Sequence, residues 1–415
     1  MISKIESILT KKLRFDVRYF VNGGFWLMSG HLFTIVSILA TSYFFANFLD
    51  PQTYGVYKYL VTAGIILTAF SLTGLQTGVT QAAAKHIVGY LAYASRLSVK
   101  YGLIVSALAC IGAGYYAFND NNQLAIGLIL IGLFQPLINT TTLIFAQLVG
   151  EQRFYENTTA HVLRVLITTC STVAAIVLSG NIFVLISAYL IGNLAANQLV
   201  RILYTRHEAT IDLTRPEATN ITNYSKHISV QNIISTLSNQ ADKILIFQNL
   251  GAIELATYAF ATALPDQYKG FTKTIETMVL PRFSKHSAKS VRARMWHKTV
   301  IYFICLLVLA LTYILVAPYI FAVLYPAYAE SVYLSQVYAL AILFGIGSLP
   351  IAGMKAQLAK KRLYTFNIVT SIFQITLLLI LLPLYGLIGA VVSRVLYRAF
   401  VAISAYMIYF YQAKE

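Results

Sequence analysis

Residues 299–322, TVIYFICLLVLALTYILVAPYIFA, run for 24 positions without a charged side chain. As a helix they extend about 36 Å at 1.5 Å per residue, enough to cross the ~30 Å hydrocarbon core of a bilayer. The flanks are unequal. Pro281–Lys298 carries six Lys or Arg and no acid, whereas Val323–Glu330 carries no Lys or Arg. That asymmetry marks a membrane span whose basic end faces the cytoplasm.

Working outward, similar runs recur at 19–46, 55–82, 101–118, 124–149, 160–179, 182–204, 227–248, 254–280, 331–354, 363–382 and 386–410, which predicts twelve spans. The composition agrees: of 415 residues 58% are hydrophobic and 11% charged, and mean hydropathy is +0.68. A soluble protein is closer to 45–50% apolar and about 25% charged. So few charges cannot cover a soluble surface of this size, and the spans leave no length for a sizeable soluble domain. The first apolar segment is too long for a cleavable signal core and is expected to be retained. Cys110, Cys170 and Cys305 all lie in apolar runs and form neither a disulfide framework nor a metal motif.

The net charge of +16 does not imply nucleic acid. The termini and the even-numbered connections hold 25 of the 31 Lys and Arg. The odd-numbered connections (Asn47–Tyr54, Asn119–Gln123, Gly180–Asn181, Asn249–Ile253, Val323–Glu330, Pro383–Tyr385) hold none. Both termini are therefore expected in the cytoplasm. The basic stretch Pro281–Lys298 reads as a contact for anionic lipid.

The chain also repeats itself. Ala146-Gln147-Leu148 with Arg153-Phe154-Tyr155 recurs as Ala356-Gln357-Leu358 with Arg362-Leu363-Tyr364, and Leu49 with Tyr57 recurs as Leu250 with Tyr258. Six spans per copy give both copies the same orientation, so the predicted fold is all-α, with two six-helix lobes related by a pseudo-two-fold along the membrane normal. The lobes are expected at 1–204 and 227–415, joined by a cytoplasmic loop at 205–226, with a cleft between them. Pro136 and Pro350 interrupt corresponding spans. Gly74 and Gly78 form a G-x-x-x-G that reads as close helix packing. Tyrosines at span ends, among them Tyr43, Tyr54, Tyr57, Tyr101, Tyr325 and Tyr328, read as an interfacial belt.

Six basic residues remain inside spans: Lys58, Lys243, Lys269, Lys273, Arg394 and Arg398. Each costs about 2.5–3.5 kcal/mol at the bilayer centre on insertion scales, so intramembrane charge is normally functional or paired. Asp266, Lys269, Lys273 and Glu276 fall at i, i+3, i+7 and i+10, one helical stripe, just after Pro265; Arg394 and Arg398 are i, i+4. Two readings stay open. Lys269, Arg394 and Arg398 either hold helices together in an ion-pair network or line a water-filled cationic cavity. Lys58 and Lys243 could snorkel instead, and Glu276 could face water. Taken with Asp242, Asp266 and Glu276, the six give a balance of +3, which suits an anionic cargo.

No enzyme class emerges. His207 and Asp212 make an H-x4-D, in which an Asp orients a His as general base, but the loop holding them leaves no room for a catalytic domain. His31, His86, His161, His227, His286 and His297 are scattered without metal-ligand spacing, and no phosphate-binding Gly loop occurs.

Phe44–Tyr57, FFANFLDPQTYGVY, resembles the "LGPEEYGIY"-like signature of polysaccharide biosynthesis proteins, the Wzx-type oligosaccharide flippases of the multidrug/oligosaccharidyl-lipid/polysaccharide exporter superfamily. Asp242-Lys243-Ile244 through Leu250-Gly251 to Tyr258 is similar to the family's "D-x-I-L-I…LG…Y" stretch, and Tyr385-Gly386-Leu387-Ile388-Gly389-Ala390 to its "YG-I-GA". Asp50-Pro51 departs from the usual Gly-Pro, and Lys243 beside Asp242 is also a departure. The resemblance implies a cavity lined mainly by spans one, two, seven and eight. It implies alternating access moving polyprenyl-pyrophosphate-linked oligosaccharide outward across a bacterial cytoplasmic (inner) membrane, for O-antigen, capsule or exopolysaccharide. An H+ or Na+ gradient would drive it, with no cofactor. The bilayer, the anionic lipid-linked oligosaccharide, and the polysaccharide polymerase and chain-length machinery are the candidate partners. Lys269, Lys273, Arg394 and Arg398 would bind the head group, with Lys58 and Lys243 assisting. Asp242, Asp266 and Glu276 are candidates for ion coupling. A cation-coupled drug exporter of the same superfamily is the first alternative and a membrane-embedded lipid- or glycan-modifying enzyme the second; the drug-exporting relatives typically carry an acid in span one, and Tyr19–Ala46 has only His31.

Overall fold

The computed structural model describes residues 17–205, 216–273, 288–356 and 360–411. Among them there are helices and no strands. The first six spans are α1 (Val17–Phe48), α2 with α3 (Pro51–Ala69 and Leu75–Ala84), α4 (Tyr90–Phe118), α5 with α6 (Asn122–Thr141 and Leu143–Gly150), α7 (Phe154–Leu178) and α8 (Ile182–Tyr204). The second half begins with α9 (Pro216–Asn249) and α10 (Ala252–Ala263), the latter followed by a 3-10 turn at Pro265–Gln267 and helix again at 268–273. Then come α11 (Ala288–Leu324), α12 (Ser331–Ala339), a 3-10 stretch Leu340–Gly347, α13 (Ser348–Ala356) and α14 (Lys360–Tyr411).

α14 contains spans eleven and twelve. Gly386 departs from helical geometry at φ 59°, ψ −138°. A side chain on Gly389 would lie 1.9 Å from the Leu381 carbonyl oxygen. In an unbroken helix those residues stand about 12 Å apart, so the chain doubles back there.

Eight segments among the described residues are apolar and long enough to cross a membrane, and Tyr364–Phe410 holds two spans, so nine of the twelve expected spans are recovered by that measure. The other three (55–82, 227–248 and 254–280) are the more polar ones. α9 carries a run of Asn, Ser and Gln with Asp242 and Lys243, and its polar face packs inside protein. The lipid-facing helices turn large apolar side chains outward, as at Leu315, Tyr319 and Val323 on α11. This is a multi-pass membrane protein.

Two boundaries differ from expectation. Residues 216–226, read as part of a cytoplasmic loop, are the first three turns of α9. Their apolar residues Ala218 and Ile221 join the buried cluster around Leu75, Val79 and Tyr90 of the first half. Burying that face is worth more than a solvated loop, and Pro216 at the helix start has no N–H to leave unpaired. Likewise 288–298, read as a basic loop, is helix continuous with span nine.

Spans two, four, eight and ten are the broken ones, at 69–75, 141–143, 263–268 and 339–348. They occupy the same places in the two halves. Pro136 precedes one break and Pro350 follows another, and broken spans recur where transporters hold ligands.

Three of the turns without Lys or Arg carry side-chain caps. Asp50 Oδ1 accepts from Thr53 N at 2.9 Å, with Pro51 opening α2. Asn121 and Asn181 cap α5 and α8 in the same way. Partial burial pushes the Asp50 carboxyl up, yet hydrogen bonds from Thr53 outweigh it and hold the group below its ordinary value of 3.8. Such a shift adds stability above the unfolded-state pKa that is lost as pH falls through the folded-state value. Asp50→Ala is expected to cost about 1 kcal/mol. A thermal-unfolding comparison should show the deficit at pH 7 and its loss as the pH falls through the folded-state value, which lies below 3.8.

At this charge-poor end the two halves are joined. Tyr54 packs on Phe260 with ring centroids 4.8 Å apart, and Phe260 on Tyr328 at 4.0 Å. Asn47 Nδ2 donates to the Leu324 carbonyl at 3.1 Å. Gln248 Nε2 donates to the hydroxyls of Tyr59 and Tyr116 at 3.1 and 2.6 Å. Deeper in, the Gly74–Gly78 pair lies flat on α9, where the Gly74 N–H donates to Ser229 Oγ at 3.0 Å. There Asn232 also donates to Thr73 Oγ1 at 3.0 Å.

Candidate functional site

A cavity of about 320 Å³ lies within the second half of the chain, walled by α9, α10 with the segment after it, α12, and the last span. Six of the nine charged residues singled out from the sequence line it: Asp242, Lys243, Asp266, Lys269, Arg394 and Arg398. The walls are spans seven, eight, ten and twelve, so spans one and two, expected from the resemblance, do not contribute. At the charge-poor end span two packs its aromatic side chains against spans seven and eight, so the two halves meet there.

Two of the four cations in the cavity are neutralised. Arg394, 5% exposed, donates from Nε to Asp242 Oδ2 at 2.8 Å, and Asp242 is 2% exposed. Tyr258 donates its hydroxyl to the same Oδ2 at 2.5 Å, and Arg394 Nη2 also donates to the Asn239 carbonyl. Lys269 Nζ pairs with Asp266 Oδ1 at 2.5 Å, one turn away on its own helix, and the Tyr338 hydroxyl donates to that oxygen at 2.6 Å. Of the open readings, ion pairing therefore accounts for Arg394 and Lys269.

The other two cations are not matched by carboxylates among the described residues. Lys243 Nζ donates to Gln240 Oε1 at 3.0 Å. Arg398 Nε is buried with no hydrogen-bond partner, and its guanidinium lies 5.6 Å from the Tyr397 ring. Asp242 Oδ1 and Arg394 Nη1 are likewise buried and unpartnered. Unsatisfied buried polar atoms are rare and costly, and here three of them sit in one cavity carrying +2. That arrangement can receive an oxyanion, whose oxygens accept from guanidinium groups in charge-assisted bonds.

The remaining sequence candidates fall elsewhere. Lys58 Nζ stands 5.2 Å over the Tyr54 ring, close enough to Lys243 for the two ammonium groups to repel. Lys273 is exposed, one turn beyond Lys269, and does not line the cavity. Glu276 lies outside the described residues, as do His207 and Asp212. Tyr338 and Asn239 went unnoticed in the sequence, where nothing distinguishes them. Tyr258 did carry a signal, since it repeats Tyr57.

The sequence profile of the family described as "Polysaccharide biosynthesis protein" matches residues 44–327. No curated protein matches the sequence. Among solved structures, one similar fold is the outward-facing conformation of a multidrug resistance MATE family transporter of the MOP superfamily, with TM-score 0.68, 14% identity and 95% of each chain covered. A MOP superfamily transporter from Pyrococcus furiosus, described as having a binding pocket of reverse polarity, gives 0.65 at 12% identity, again over 95% of each chain. The lipid II flippase MurJ, inward closed, gives 0.62 at 15% identity over 94% of this chain and 87% of that one. At such identities these likenesses establish the two-lobe fold. The profile match, over more than half of the chain and across the seal and the acidic half of the cavity, establishes the family: the chain belongs to the polysaccharide biosynthesis proteins.

Proposed function

We propose that this protein is a flippase that carries a polyprenyl-pyrophosphate-linked oligosaccharide from the cytoplasmic to the outer leaflet of a bacterial cytoplasmic membrane by alternating access. The observation that carries the reading is the cavity at membrane depth with +2 of uncompensated charge and an unpartnered Arg398 Nε. A pyrophosphate is a dense anion, and a cationic cavity lowers the cost of taking it through the bilayer while the polyprenyl tail stays in lipid. At about 320 Å³ the cavity is at the small end of ligand sites and fits a charged head group rather than a whole oligosaccharide. The 25 basic residues on one set of connections support a cytoplasmic position for that end. The structure is then closed toward the outside, by the seal around Tyr54, Phe260 and Tyr328.

Arg398→Gln and Lys243→Gln test this reading. Neither residue is held by a carboxylate, so each variant is expected to fold and insert at wild-type levels. Each is expected to lose flipping at least tenfold in proteoliposomes carrying a polyprenyl-pyrophosphate-linked sugar, and to fail in surface-glycan complementation. Full activity in the Arg398→Gln, Lys243→Gln double variant would overturn the anion-binding role. Efflux of cationic drugs by the wild type would instead support the exporter reading.

A further inference from the structure

Read by charge, Arg164 belongs with Arg153 at the cytoplasmic end of span five. The structure sets it far deeper. It stands ten residues past Phe154, the first residue of α7, about 15 Å along a helix about 37 Å long. On that helix Asn157, His161, Arg164, Thr168 and Ser171 fall at i, i+4, i+7, i+11 and i+14, a single polar stripe. Tyr155, Leu166 and Val177 are exposed on the other side, with Leu166 about 200° around the helix from Arg164. The guanidinium is therefore turned into the bundle and away from lipid. It lies over the Phe145 ring, 5.4 Å from the centroid, and near enough to Tyr189 of α8 for the two groups to interact. Tyr189 in turn meets Tyr57 of span two edge-on at 6.0 Å.

The first half has no counter-charge to offer at this depth, since its six spans contain no Asp or Glu. Glu156, at the start of α7, is paired with Arg153, and Asp242 and Asp266 are held in the second half by Arg394 and Lys269. Among the described residues no hydrogen bond or ion pair holds the Arg164 side chain, which is partly exposed. The second half shows the contrast. There Tyr258 bonds to Asp242, which neutralises Arg394, whereas the repeat that relates Tyr57 to Tyr258 places Thr41 where the second half has Asp242. Asn197 of α8 adds a second sign. Gly192 against Ser171 and Tyr204 against Thr159 bracket it, which sets it level with Arg164, fully buried and with both amide atoms unpartnered.

A cation at membrane depth without a counter-charge is costly, so its partner has to come from outside the chain. We propose that Arg164 is a second oxyanion-binding position, built by the first half and separate from the cavity around Arg398. A planar guanidinium donates two parallel N–H bonds to the oxygens of a carboxylate or phosphate, and the Phe145 ring behind it holds its plane for that use. A polyprenyl-pyrophosphate-linked glycan offers two such groups. One is the diphosphate, at a stage when it is not in the cavity of the second half. The other is the carboxylate of an acidic sugar, carried while the diphosphate is there. In both cases each half holds the cargo by an arginine of its own. The transport role rests on the flippase reading, whereas the anion site itself does not.

Two experiments on the full-length protein test this. Phenylglyoxal, which modifies accessible guanidinium groups, is expected to label Arg164 of the wild type in detergent, read by peptide mass spectrometry. Inorganic pyrophosphate or glucuronate at about ten times its Kd should slow that labelling about tenfold by mass action. In proteoliposomes, flipping is compared for two lipids, one with a neutral monosaccharide and one with a uronic acid on the same polyprenyl diphosphate. Arg164→Gln removes a charge that no side chain holds, so it is expected to fold and insert like the wild type, with thermal unfolding as the check. It should slow flipping by about tenfold or more, the loss of a charge-assisted hydrogen bond, and Arg164→Lys should restore part of the rate. Slowing with both lipids identifies the diphosphate as the ligand, and slowing confined to the second identifies the carboxylate. The proposal is overturned if neither anion protects Arg164, or if Arg164→Gln moves both lipids as the wild type does. If the anions protect Arg164 but the wild type flips neither lipid, the flippase reading fails and the anion site stands.

Discussion

Arg394→Ala is expected to destabilise the protein by about 3–5 kcal/mol, the usual cost of removing one partner from a buried ion pair. The size follows from what is left behind. Asp242 is 2% exposed, its Oδ1 already lacks a partner, and the Tyr258 hydroxyl alone would remain on Oδ2. Asp242→Ala should be similarly costly, since it strands a guanidinium held otherwise only by the Asn239 carbonyl. Replacing both by apolar residues of similar size, Asp242→Leu with Arg394→Met, is expected to recover most of the loss, because a buried pair taken out whole is often neutral to stability. Thermal unfolding in detergent gives the three values, and flipping by the double variant separates two roles. If the double variant folds and also transports, the pair does no more than join span seven to span twelve. If it folds and is inactive, the pair also shapes the anion cavity beside Arg398.

That result bears on how far a single sequence could be read. The spans were legible because lipid demands about 20 apolar residues at a time, and span twelve placed both Arg394 and Arg398 in the cavity because residues four apart share a helix face. The stripe in span eight was legible only in part. Asp266 and Lys269 reach the cavity just after the 3-10 turn at Pro265–Gln267, whereas Lys273 lies a further turn on and emerges beyond it. What composition and spacing could not give is partnership. Asp242 and Arg394 are 152 residues apart and Tyr338 is 72 from Asp266, and each pairing exists only because helices distant in sequence pack side by side. The turn that ends span seven was half legible: Leu250 and Tyr258 were recognised as repeats of Leu49 and Tyr57, without any indication that the two copies would meet.

They meet at Gly55, and Gly55→Ala is the substitution expected to shift the conformational balance most. A Cβ at this position would lie 1.9 Å from the carbonyl oxygen of Ala252, 2.4 Å from its carbonyl carbon and 2.8 Å from its Cα. All three are backbone atoms at the start of α10, so no rotamer change relieves the overlap and helices α2 and α10 must separate. Overpacking of this kind costs about 1–3 kcal/mol, sometimes more. The cost falls only on arrangements in which the charge-poor end is closed, because only there do the two helix starts touch. At the middle of that range the closed population drops by at least tenfold relative to open ones. A cysteine pair at Asn47 and Leu324, whose side chain and carbonyl are 3.1 Å apart, reports the closure through a short bifunctional reagent once Cys110, Cys170 and Cys305 are replaced. Cross-linking should be efficient in that background and fall at least tenfold with Gly55→Ala. Gly114→Ala, where an added methyl meets nothing within 4 Å, should leave it unchanged. Equal cross-linking in both variants would mean that the seal does not depend on this approach. Reduced cross-linking together with slowed flipping would identify closure of the outer end as a step of the transport cycle, with Gly55 in the Tyr54-Gly55-Val56-Tyr57 motif present because a backbone has to pass where any side chain would stand.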